Sequence, residues 1–179
     1  FKAGASSVSI DPGPEHVDNS IHGVMTVQVE QRGAPLFAKA LALKLHTVTG
    51  LLITLDLVYL STAHCEYLRR KLQQCTGVNA GAIVVHCTHS HSTPIPEPLD
   101  GPHPFFDLIC RSAEQAGRIA MEELQPARIG FGQTHVVGAS FNQRVPLSDG
   151  GVKFTRDFRE GLSSGRPVDP RLSVWRVDA

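Results

Sequence analysis

Two histidines one residue apart, His89 and His91, stand inside a hydroxyl-rich segment, Thr88-His89-Ser90-His91-Ser92. Alternate residues of an extended chain point to the same side, so an H-x-H pair presents two imidazoles to one small region. Neutral imidazole is the commonest protein metal ligand, and nearby hydroxyls can hold a bound water or fix an imidazole tautomer. His89 and His91 are therefore the first candidates for metal chemistry, with Ser92 as a supporting group. The spacing alone is only moderately specific, because paired histidines also occur by chance in loops. Asp56 is the second candidate, since it interrupts the most apolar run of the chain, Leu51 to Leu60. A buried carboxylate must be paired or hydrogen-bonded. Asp56 reads either as a group satisfied by local donors such as Thr54 or Ser61, or as a partner that orients an imidazole on the next strand. His86 points away from Val85 and Cys87 and reads as a satisfied core histidine. His16, His22, His103 and His135 fall on loops or strand ends, where solvation explains them.

The elements around the pair explain why its position matters. Leu51 to Leu60 reads as a strand covered on both faces. Ser61 or Thr62 can cap the helix that follows, and Gly77 can stop it. Ile83 to Cys87 is a second short apolar strand. Strand, helix, strand over about 40 residues predicts a βαβ unit with a parallel pair. In such sheets ligands bind beyond the carboxyl ends of the strands, where His89 and His91 stand. Ala3 to Ile10 reads as an opening strand, and residues 14–23 as a long loop. Val24 to Glu30 and Phe37 to Thr49 read as a hairpin joined through Arg32-Gly33-Ala34-Pro35. The spacing of Phe106, Ile109, Ala113, Ala116 and Ala120 predicts an amphipathic helix over 104–124. Strands are expected at Ala127 to Val137, Ala139 to Val145 and Leu172 to Val177, with a solvated loop between Leu147 and Pro167. The predicted class is α/β: a mixed sheet with a βαβ unit and flanking helices, with residues 1–179 as a single domain.

Composition excludes several function classes. The 17 Lys+Arg balance 17 Asp+Glu among 179 residues, leaving no electrostatic footprint for nucleic acid. An apolar fraction of 41% and a charged fraction of 19% are globular values. The longest apolar run is about half of what a bilayer span needs, so no transmembrane segment is expected. The four cysteines form no CxxC pair. Cys65 and Cys75 share one helix at opposite ends of roughly 15 Å of rise, too far for a disulfide, and with Leu68 and Leu72 they read as an apolar stripe. Cys87 and Cys110 read as free or paired. All four read as buried thiols, which leans toward a reducing compartment. The chain opens on Phe1 rather than Met, which reads as a processed or excised start without a signal-peptide pattern.

With these residues in hand, the chain resembles the neutral/alkaline, non-lysosomal ceramidase family over nearly its whole length. Ala3-Gly4-Ala5-Ser6-Ser7-Val8-Ser9-Ile10-Asp11-Pro12 is similar to the family's opening strand and turn, and Thr88-His89-Ser90-His91-Ser92 to its Thr-His-Thr-His-Ser signature. The stretch from Pro35 to Leu43, Leu55-Asp56-Leu57, the stretch from Pro126 to Gly132, Ser140-Phe141-Asn142-Gln143-Arg144 and the stretch from Val168 to Val174 follow in family order. The resemblance implies a zinc-dependent amidase that cleaves N-acyl sphingosines into a sphingoid base and a fatty acid. It implies that His89 is a zinc (Zn2+) ligand and that His91 supports the substrate and the attacking water. It carries a site arginine to Arg144, displaced by one position, with Asn142, Asp56 and Ser92 as supporting groups. Thr93-Pro94 departs from the family's Gly-Pro. The other zinc ligands of the family (a His, a Glu and a Tyr) fall beyond the counterpart of Ala179, which implies the N-terminal portion of a larger catalytic domain, inactive without the remainder of the same polypeptide. The implied partner is an N-acyl lipid or other amide substrate, and the implied setting is secreted or periplasmic, against the lean of the thiols. Oligomeric state is left open.

Three other readings compete. A metallo-β-lactamase-type site needs H-x-H-x-D-H, and Ser92, Thr93 and Pro94 supply neither the Asp nor the His. An amidohydrolase barrel needs regular β/α alternation, which is missing before the pair. A non-catalytic module that keeps the fold is the third.

Overall fold

The computed structural model describes residues 1–12, 33–94, 96 and 104–178. These residues form two compact units, Phe1–Arg128 and Ile129–Asp178.

The first unit is a mixed α/β layer. Its strands are β1 (Lys2–Ser9), β2 (Phe37–Leu45), β3 (Val48–Leu55), β4 (Ile83–Cys87) and β5 (Gln125–Pro126); its helices are α1 (Thr62–Thr76) and α2 (Pro104–Glu122). The sheet order is β4-β3-β2-β1-β5. β3 and β4 are parallel, with Leu51 opposite Ile83 and Leu55 opposite Cys87, while β1, β2 and β3 are successively antiparallel. The predicted βαβ unit is thus β3-α1-β4. Ser61 accepts from the His64 amide at 3.2 Å, and Gly77 ends α1 in the left-handed region at φ 74°. Both caps stand where the sequence placed them.

The core lies between one face of the sheet and the two helices. Ala38, Ala40, Ala42, Leu51, Ile53 and Leu55 meet Leu68 and Leu72 of α1 and Ile109, Ala113, Ala116 and Ala120 of α2. Fully burying each Leu or Ile is worth about 1.5–3 kcal/mol. Small side chains let α2 sit close to β1: a Cβ on Gly4 would collide with the Ala120 carbonyl oxygen. Hydroxyls complete the contact, with Ser6 donating to the Ala116 carbonyl at 2.6 Å and Ser112 donating to the Ser9 carbonyl at 2.9 Å.

Several expectations are corrected. Phe37 to Thr49 is not one strand, because the chain reverses at His46-Thr47 and β3 begins at Val48. His46 makes the turn with φ 53°, a position where pattern reading looks for Gly or Asn. The run to Leu60 is not one strand either: β3 stops at Leu55 and the chain bends. Nor is β3 covered on both faces. Leu52 is 36% exposed and its β4 neighbour Val84 58%, because both helices lie on the opposite face. His86 is exposed on that open face rather than in the core. The expected strand Val24 to Glu30 and the loop at 14–23 lie outside the described residues, as do His16, His22 and His103.

The second unit holds a ribbon of β6 (Arg128–His135) and β9 (Arg171–Asp178), a hairpin of β7 (Arg144–Pro146) and β8 (Val152–Phe154), and the short helix α3 (Phe158–Ser163). The strand expected over Ala139 to Val145 shrinks to β7. The loop expected between Leu147 and Pro167 contains β8 and α3. Asp157 starts α3 by accepting from the Arg159 and Glu160 amides, and Glu160 takes hydrogen bonds from Lys153 at 2.7 Å and Thr155 at 2.6 Å. Of the charges that read as a solvated loop, Lys153 and Glu160 tie these two elements together. On the ribbon, Phe131 and Trp175 meet edge to face at 6.4 Å.

Candidate functional site

The site grows from the point where β3 and β4 end side by side. The Thr88 amide donates to the Leu55 carbonyl at 3.0 Å, which extends the parallel ladder one step past β4. His89 then turns into the left-handed region at φ 61°. For a residue other than glycine this costs on the order of 1–2 kcal/mol, so something must hold it there. The holder is a hydrogen bond of 2.8 Å between His89 Nδ1 and the main-chain carbonyl oxygen of Val58. A carbonyl oxygen only accepts, so Nδ1 carries the proton. In the neutral ring the lone pair then sits on Nε2, the form in which a histidine binds a metal while its other nitrogen is held by a carbonyl.

His91 stands beside it, with the two rings edge to face at a centroid distance of 4.8 Å. Both rings are exposed. The loop is fixed from below by Thr93, which is 1% exposed and donates its hydroxyl to the Ser90 carbonyl at 3.0 Å. The Ser90 and Ser92 hydroxyls are 3.2 Å apart, and Ser92 is exposed in the same loop. Asp56 is half-buried at the end of β3, where Oδ2 accepts from the Phe37 amide at 3.0 Å.

Two further candidates lie in the second unit. Asn142 Oδ1 accepts from the Arg144 amide at 3.0 Å, and its Nδ2 donates to the Pro167 carbonyl at 3.2 Å. Asn142 therefore sets the start of β7, where Arg144 is exposed. The structure thus joins His89, His91 and Ser92 in one loop and Asn142 with Arg144 in one turn.

A catalytic zinc takes three protein ligands and a water. Among the described residues no group of three or more His, Cys, Asp or Glu side chains could hold a metal ion. The donors present fit one corner of such a site, His89 through Nε2 with His91 alongside. A cleft of about 380 Å³ lined by Thr47, Val48, Thr76, Asn79 and Met121 lies at the opposite end of the sheet, before β3 and β4 begin. It contains no titratable group and is not where the imidazoles are. All four cysteines are free. Burial pushes the Cys87 thiol up to about 11 and Cys110 up to about 12, and it raises Cys65 and Cys75 as well. These are inert thiols rather than nucleophiles.

Sequence reasoning missed two parts of the site. The Val58 carbonyl is a backbone group and leaves no mark in residue type. Thr93 had read only as a departure from Gly-Pro, whereas its buried hydroxyl ties the loop.

Among solved structures, the chain superposes on neutral ceramidase from Pseudomonas aeruginosa with a TM-score of 0.66 at 18% identity, covering 97% of this chain and 29% of that one. It superposes on a ceramidase complexed with C2 with a TM-score of 0.63 at 20% identity, covering 79% of this chain and 24% of that one. The chain has a ceramidase-like fold. It spans under a third of the length of either ceramidase. No protein-family model and no curated protein matches the sequence. At this identity the ceramidase likeness speaks for the fold, and the chemistry rests on the residues.

Proposed function

We propose that this chain supplies one corner of a zinc-dependent amidase acting on an N-acyl lipid, with ceramide cleaved to a sphingoid base and a fatty acid. The observation that carries the reading is the hydrogen bond between His89 Nδ1 and the Val58 carbonyl at the carboxyl end of a parallel strand, with His91 in ring contact, on a ceramidase-like fold. His89 offers Nε2 to the metal, and the Val58 carbonyl keeps that nitrogen free of a proton. A zinc ion held there would polarise the amide carbonyl as a Lewis acid. His91, whose ring lies 4.8 Å from that of His89, would take the proton of the attacking water and give it to the leaving amine. Ser92 offers a hydroxyl to water or substrate. For Arg144, whose main-chain amide Asn142 holds, the family resemblance alone supports a role toward the substrate. The remaining zinc ligands belong, on this reading, to further residues of the same polypeptide.

The test is release of free fatty acid from a panel of N-acyl amines by the native gene product loaded with zinc. Hydrolysis of N-acyl sphingosine is expected, with His91→Ala lowering kcat by about 10²–10⁴-fold while zinc stays bound. A zinc-loaded protein that hydrolyses no N-acyl amide would exclude the amidase reading.

A further inference from the structure

The hydrogen bond that fixes His89 depends on where the Val58 carbonyl points, and that direction is set at the end of β3. The Asp56 amide donates to the Phe37 carbonyl at 3.0 Å, and the Asp56 carboxylate accepts the Phe37 amide at 3.0 Å. Asp56 thereby grips one residue of β2 through both its main chain and its side chain. Directly after it the chain bends, with the Leu57 amide reaching back to the Leu55 carbonyl at 2.8 Å. The same Leu55 carbonyl takes the Thr88 amide, so one oxygen ties the bend to the base of the histidine loop. Leu57 and Val58 then pack into the interior at 0% and 3% exposure. The Val58 carbonyl thus follows a gripped residue and two buried side chains, which fix the path of the chain up to it. It is this oxygen that His89 Nδ1 meets at 2.8 Å.

We propose that Asp56 is a positioning residue. Through the Phe37 amide it fixes the bend at residues 56–58, and so it aims the Val58 carbonyl that locks His89 in the tautomer with a free Nε2. The inference rests on the reading of His89 as a ligand only for its functional meaning, because the tautomer itself can be measured without metal. Among the described residues Asp56 touches no imidazole in this arrangement. Its partner is a backbone amide two strands from the one that leads into His89, since β2 is separated from β4 by β3. A carboxylate in this place is not needed to end a strand, because water or the following turn can satisfy a terminal amide. Its cost in a half-buried setting is offset by the hydrogen bond from the amide.

Long-range 1H–15N NMR on the metal-free, 15N-labelled protein reads which ring nitrogen of His89 carries the proton. The wild type is expected to show Nδ1 protonated and Nε2 bare in the neutral ring. Asp56→Ala should give a mixture of both tautomers, while Asp56→Asn, whose Oδ1 can still take the Phe37 amide, should behave as the wild type. Phe37→Pro removes the donor instead of the acceptor at the first residue of a strand, where proline is tolerated, and should mix the tautomers again. It provides a second route if Asp56→Ala does not fold. A single wild-type tautomer retained in a folded Asp56→Ala or Phe37→Pro protein would overturn the proposal, and so would mixing in Asp56→Asn. A locked tautomer in a protein that takes up no zinc would instead remove the zinc reading and leave the role of Asp56 standing. Normal zinc uptake with a tautomer indifferent to Asp56 would do the reverse.

Discussion

Hydroxyl and thiol side chains in this protein spend their polarity on local structure, and each makes a measurable statement. Thr93 is buried and its hydroxyl serves one carbonyl, that of Ser90. Thr93→Val keeps the shape and removes the donor, so it is expected to cost about 1 kcal/mol in denaturant unfolding and to loosen the loop that carries His91. The thiols bear on alkaline pH. Cys87 is raised to about 11 and Cys110 to about 12 from 9.0, first of all by burial. A thiol that holds its proton more tightly when folded stabilises the fold fully below its unfolded value and loses that contribution as pH rises through the folded value. Stability is therefore expected to fall between about pH 9 and 12, and alkylation of Cys110 by iodoacetamide, followed by intact mass, should be very slow at pH 7.5 and keep quickening with pH toward about 12. Rapid labelling of all four thiols at neutral pH would contradict this burial. At this scale the sequence displayed the imidazoles, the free thiols and the carboxylate, because residue type is what it records. Of the four thiols expected to be buried, however, only Cys110 is, and the other three are half-buried. The sequence did not display the Val58 carbonyl, which every residue possesses and only the backbone path can aim.

Elements were legible wherever a residue has a single local job. Ser61 and Gly77 bracket α1 as caps should, and the three- and four-residue spacing of Ile109, Ala113, Ala116 and Ala120 gives α2 its buried face. The turn at His46-Thr47 was not legible, since His46 adopts a conformation usually left to glycine or asparagine. The one-sided cover of β3 was not legible either, because an apolar run does not say which face a helix takes. Packing at this scale gives two expectations. Leu68→Ala removes a fully buried side chain between α1 and the sheet and should cost about 2–5 kcal/mol in chemical unfolding. Gly4→Ala places a Cβ against the α2 backbone at Ala120, which cannot swing aside as a side chain would. It is expected to cost about 1–3 kcal/mol, and a thermal midpoint equal to the wild type would show that α2 and β1 are less closely apposed than described.

At the scale of the whole molecule, a ceramidase-like fold at 18–20% identity is understandable, since apolar pattern and volume specify a fold over many sequences. Among the described residues no helix is long and apolar enough to cross a membrane. The βαβ unit and the place of the histidines at the strand ends follow from the sequence, whereas the order of the strands in the sheet and the other members of a metal site do not, because both depend on contacts between distant residues. The claim that His89 is a zinc ligand is tested most directly by the zinc content of the purified native gene product beside that of its His89→Ala variant. About one zinc per chain in the wild type, lost in His89→Ala with the circular dichroism unchanged, is the expected result. A wild type that holds no zinc, or a variant that keeps it, would contradict the assignment.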